Sequence, residues 1–131
     1  MKKLFYLTLL AVCFFQCSPK ITFSNMEDNS FYGLHGKLIA KEGKAKELSR
    51  ILLDASSLMK SAKGCYLYVV SIDKSNPDEV WVTEIWESKE DHANSLNVKG
   101  VKELIGKAIP LLNGSPQKGQ ELEILGGLGV K

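Results

Sequence analysis

From Phe31 the chain alternates. Phe31, Gly33, His35, Lys37 and Ile39 face one way and Tyr32, Leu34, Gly36, Leu38 and Ala40 the other, which predicts a first strand over Phe31 to Ala40. Its two glycines point to a bulge or to a close approach by another group. After Lys41-Glu42-Gly43 the period changes: Ala45, Leu48, Ile51, Leu52, Ala55, Leu58 and Met59 recur at steps of three and four, the mark of a helix with one buried face. Gly64 suits the end of that helix. Strand patterning returns over Cys65 to Ile72 and Glu79 to Glu87, joined by a hairpin loop, Asp73 to Asp78, that carries Ser75-Asn76-Pro77. Ser88, with Asp91 three residues on, is suited to cap a short helix through His92 and Leu96. A further helical stretch holds Val98, Val101, Leu104, Ile105 and Ala108 and closes at Pro110. Beyond the Gly114-Ser115-Pro116 loop, Gln120 to Leu125 makes a last strand.

The order β-α-β-β-α-β predicts an α+β fold, the ferredoxin-like unit, in which both helices cover one face of an antiparallel sheet. The other face is then bare. On the third strand, Val80, Val82, Glu84 and Trp86 stand opposite Trp81, Thr83 and Ile85, and the second strand is also apolar on both sides. A strand covered on both sides needs two layers, so a second copy is expected to cover the open face as a homodimer, giving a dimeric α/β barrel. A monomer would expose an apolar patch of roughly several hundred Å2.

A length of 131 residues allows one domain. Lys2 and Lys3 followed by an apolar run from Leu4 to Phe15 have the layout of an export signal, too short to span a bilayer. The expected organisation is a signal peptide over 1–16, a lipidated tether over 17–30, a domain over 31–126 and a tail over 127–131. Cys17 ends the apolar run and precedes polar Ser18-Pro19-Lys20, which favours lipidation there; lipidation at Cys13 and simple secretion stay open. The expected location is outside the cytoplasm, membrane-anchored on the periplasmic or cell-surface side. Without Lys2 and Lys3 the formal charge falls from +2 to zero, which gives no footprint for nucleic acid. With Cys17 lipidated, Cys65 is the single remaining thiol, so no internal disulfide forms, and a buried place in the second strand suits it. No His, Cys or Asp set has metal-ligand spacing.

The residues that suggest a site are few. Glu84 and Trp86 share a strand face, and a carboxylate among bulky apolar neighbours needs a partner or a pocket. His92 follows within about two turns, and His35 lies beside Gly33 on the first strand; imidazole titrates close to neutrality. Each has a plainer reading: a helix-surface or capping His92, packed tryptophans, and Glu84 near the mouth of a barrel in water.

Gly64-Cys65 with Tyr68, Glu84-x-Trp86, and His92 resemble the antibiotic biosynthesis monooxygenase family over about Phe31 to Gly126. Asp91-His92-Ala93-Asn94-Ser95-Leu96 and Val101-x-x-Leu104-Ile105-x-x-Ala108-x-Pro110-Leu111 look like its quinol-monooxygenase branch. The resemblance implies oxidation of an electron-rich aromatic or quinol by dioxygen with no cofactor. It implies His92 as the base, with Trp86 and Tyr68 stacking on the ring and Glu84 orienting a neighbour; His35, from its place beside Gly33, is a further substrate-binding candidate that would line the same cavity. Relatives that degrade haem carry an Asn on the first strand and a Trp and a His on the second helix. Ser95 and Ile105 stand at those last two places here, so the resemblance does not extend to haem. Three classes of function follow: a monooxygenase, a small-ligand-binding module, and a scaffold lipoprotein.

Overall fold

The computed structural model describes residues 30–130. The expected leader, Cys13, Cys17 and nearly all of the tether lie outside the described residues. In chain order the elements are β1 (Phe31–Ile39), α1 (Ala45–Leu58), β2 (Cys65–Ile72), β3 (Glu79–Trp86), α2 (Lys89–Asn94), α3 (Val101–Ala108) and β4 (Gln120–Ile124). The strands form one antiparallel sheet in the order β2-β3-β1-β4, a ferredoxin-like α+β fold whose sheet is not closed.

The second helical stretch is two helices. A 3-10 turn over Ser95–Asn97 follows α2, and Gly100, at φ 94°, turns the chain into α3. Few residues other than glycine take that left-handed conformation, so the break is written at Gly100. Pro110 sits inside a further 3-10 turn, Ile109–Leu111.

The glycines of β1 mark a close approach, not a bulge. A Cβ on Gly33 would fall 2.7 Å from the Ile124 side chain of β4. The irregularity lies instead in β2, where the register slips between Cys65 and Leu67. That extra residue turns Tyr66 outward and lets Cys65 and Tyr68 share the helix-facing side with Trp86 and Glu84. Cys65 is half-buried, less enclosed than the pattern implies.

The core is in two parts at opposite ends of the sheet. Leu48 and Val80 pack with Ala40, Leu111 and Leu112 at one end. Met59, Trp86 and Val101 pack with Tyr32 and Leu58 at the other. The strip between them is where the site lies. On the opposite face, Tyr66, Val69 and Leu122 are 53%, 44% and 43% exposed.

Candidate functional site

The site grows from the end of β3. Strand alternation carries Val82, Glu84 and Trp86 on the helix side, and Ser88 then stops the strand by capping α2: its Oγ accepts from the Asp91 N–H at 3.1 Å and donates to Asp91 Oδ2 at 2.8 Å. Gly64, at φ 73°, leaves room for Asp91, whose carboxylate would meet a Cβ there at 2.8 Å. The turn so fixed swings His92 back over the sheet. Its ring stands edge-on to Trp86 at 5.6 Å and tilted against Tyr32 at 5.5 Å between centroids.

Glu84 is only 8% exposed. The Trp86 indole N–H donates to its Oε2 at 2.8 Å, and His92 Nε2 lies 3.7 Å from the same oxygen. Among the described residues no lysine or arginine pairs with it. Burial pushes the Glu84 carboxyl above its ordinary range, against the pull of the Trp86 hydrogen bond. Burial likewise lowers His92, with Glu121 raising it and Lys89 lowering it less strongly. A separation of 3.7 Å is too long for a hydrogen bond, and burial shifts both groups in the direction of their uncharged forms. Tyr68, opposite Glu84 in the sheet, has its hydroxyl pushed up by burial and by Glu84.

These three side chains line a cavity of about 120 Å3. Ile51, Leu52 and Ala55 of α1 and Met59 just after it wall it on one side, and Ser95, Leu96, Val101 and Ile105 on the other. A mostly apolar chamber with one imidazole and one buried carboxyl, both shifted by burial in the direction of their uncharged forms, suits a phenolic ring better than a charged ligand.

The sequence pattern of the family described as antibiotic biosynthesis monooxygenase matches residues 31–106. The chain belongs to that family. A solved structure of a candidate antibiotic biosynthesis monooxygenase from Chloroflexus aurantiacus J-10-fl is 37% identical, with a TM-score of 0.70 over 78% of this chain and 100% of that one. Two more distant structures share the fold. A candidate monooxygenase of the same name from Caulobacter crescentus CB15 is 21% identical, with a TM-score of 0.66 over 72% of this chain and 90% of that one. A conserved protein from Methanosarcina mazei Go1 is 16% identical, with a TM-score of 0.66 over 73% and 94%. No curated protein matches the chain. At the level of the antibiotic biosynthesis monooxygenase family, the function is monooxygenase-like.

Within this family member the structure brings together His92, Glu84 and Tyr68 in the cavity wall. Trp86 is fully buried behind Glu84 and steadies the carboxyl without lining the cavity. His35 is not brought to the site: it lies on the open face, hydrogen-bonded through Nδ1 to Thr83 Oγ1 at 2.9 Å and stacked on Trp81 at 4.7 Å. Cys17 lies outside the described residues. Sequence reasoning passed over Tyr32 and Ser95. Tyr32 is opposite Trp86 in the register, and Ser95 Oγ donates to the His92 carbonyl at 2.6 Å, holding its turn. Neither stands out in a sequence, because a strand register and a helical back-bond are seen only once the elements are paired. Among the described residues no group of three or more His, Cys, Asp or Glu is set to hold a metal ion, and no helix is long and apolar enough to cross a membrane.

Proposed function

We propose that this family member is a cofactor-independent monooxygenase that oxidises a small aromatic or quinol with dioxygen, His92 serving as the base. The observation that carries the reading is the pairing of an uncharged imidazole with a buried carboxyl in one apolar chamber. His92 takes the phenolic proton at neutral pH, where a ring with a lowered pKa is ready to accept it. The phenolate passes one electron to dioxygen, and the resulting aryloxyl radical and superoxide join at a ring carbon as a peroxide. The proton held on His92 returns to that peroxide, which loses water. For a quinol the balance is quinol plus O2 giving hydroxyquinone plus H2O. Glu84, buried beside His92, orients the ligand hydroxyl toward His92, and Tyr68 stacks on the ring.

The same reading places two copies sheet to sheet over the exposed Tyr66, Val69 and Leu122. It also places the protein outside the cytoplasm, with a lipid on Cys17 that keeps it beside apolar substrates dissolved in a membrane. The deciding experiment is oxygen uptake by the purified protein with a panel of reduced quinols and phenols, beside His92→Ala. Uptake that falls about 100- to 10,000-fold in the variant is expected. Uptake no faster than the spontaneous rate, with ligand still bound, makes the cavity that of a non-catalytic ligand carrier.

A further inference from the structure

We infer that the ligand is elongated: a phenol or quinol ring in the first cavity, bearing an aliphatic tail that runs into a second cavity beyond Tyr68 and Glu84. The inference rests on the reading of the first cavity as a ring site and extends it to the class of substrate.

The second cavity holds about 180 Å3 and shares Leu52, Tyr68 and Glu84 with the first, so the two adjoin at those side chains. Its walls are Leu34, Leu38 and Val82 on the helix-facing side of β1 and β3, and its far end reaches Gln117 and Gly119. The space exists for a structural reason. The core is split into two clusters, α3 packs chiefly on α1, and α1 packs on β2 and β3, so between the clusters the β1 part of the sheet has no helix packed closely on it.

Two glycines keep this arm open. Gly36 stands in the middle of its floor, where a Cβ would meet only the Gly119 backbone, at 3.8 Å. A Cβ on Gly119 would in turn press on Leu34 at 3.0 Å. Gly36 has no positive φ, so its lack of a side chain is not explained by backbone conformation.

The chemistry of the arm selects an alkyl tail. Glu84 is the ionisable group at its inner end, where the ring hydroxyl belongs. Lys37 turns to the other face, its Nζ held by Glu79 at 3.0 Å and lying over Trp81. Walls of leucine and valine reward methylenes, and the neutral hydrogen-bonding side chains lie at the two ends, Tyr68 at the inner and Gln117 at the outer.

Dissociation constants of 4-alkylphenols from methyl to octyl, titrated into the protein under argon by calorimetry, test this without any turnover. Affinity is expected to rise about three- to fourfold per methylene until the arm is full. Gly36→Val, which fills the floor, and Leu34→Phe, which narrows the wall, are expected to flatten that series while circular dichroism and the binding of 4-methylphenol persist. A wild-type series with no chain-length gain overturns the tail arm and leaves the ring site standing. A gain that survives unchanged in both variants places the tail elsewhere and also overturns it. No binding by any member, 4-methylphenol included, sinks the ring site and the inference together.

Discussion

Each face of the sheet carries a tryptophan beside a histidine, and the two pairs are chemically unlike. On the helix side, Trp86 and His92 meet edge-on around a buried carboxyl, and burial drives both titratable groups toward neutrality. On the open side, His35 stacks on Trp81 with Thr83 and Lys37 beside it, and the surroundings are half-wet. Residue types are the same; what differs is how much water reaches them. A base and an acid whose ionisation is tuned by burial are what the proposed reactive site requires, whereas a stacked, hydrogen-bonded pair on an open sheet offers a surface.

That contrast breaks most visibly at the tryptophans. Trp86→Ala empties a fully buried position and removes the donor to Glu84, with an expected loss of about 3–5 kcal/mol in urea unfolding. Trp81→Ala is expected to lose about 1 kcal/mol, most of it from the stack with His35. Equal losses at the two sites would erase the distinction. On the open face, Val69→Lys is expected to weaken the proposed self-association about a hundredfold in sedimentation equilibrium and to leave the cavity intact. If the chain sediments as a monomer before the change, the face has another use.

The next effect is a pH dependence. Burial raises the Glu84 pKa in the folded chain above the ordinary 4.5. Between those two values the folded chain keeps a proton that the unfolded chain has released, so stability falls as pH rises through that window. Glu84→Gln cannot ionise and is expected to lose that slope, read as the urea midpoint from pH 4 to pH 7. His92 moves the other way: with its pKa lowered below 6.5, the acid limb of turnover is expected below 6.5, and a limb above it would mean another base. The smallest change belongs again to the open face, where Thr83→Val removes the partner of His35 and is expected to lose within about 1 kcal/mol.

Alternation alone marked every strand to within a residue, and Ser88 with Asp91 marked the start of α2, because these signals are local. Glu84 and Trp86 sharing a face was legible from their spacing of two. Which residues of β1 share that face was not, since it depends on the register that sets Leu34, and not His35, opposite Glu84. The bulge at Tyr66 was hidden for the same kind of reason: a single extra residue leaves a run such as Cys65-Tyr66-Leu67-Tyr68 looking like an ordinary strand. The cavity walls were visible only as apolar helix positions. The sequence says that Ile51 and Leu52 face inward, but the space between them and Ile105 follows from how α3 leans on α1.

The pairing of β1 with β3 also sets the tempo at which the chain reaches this structure. The hydrogen bond between His35 and Thr83 spans 48 residues, whereas β2 and β3 are neighbours across one short loop. The β2–β3 hairpin therefore forms early, and the central pair waits on closing a long loop, which places folding in the slower range of small domains, from milliseconds toward seconds. Glu84 and His92 lie close in sequence and are expected to meet soon after the hairpin. Tyr32 comes with β1, so the aromatic cluster around His92 is expected to be completed after the hairpin, and the change in Trp86 fluorescence of a Trp81→Phe variant in stopped-flow refolding checks that order.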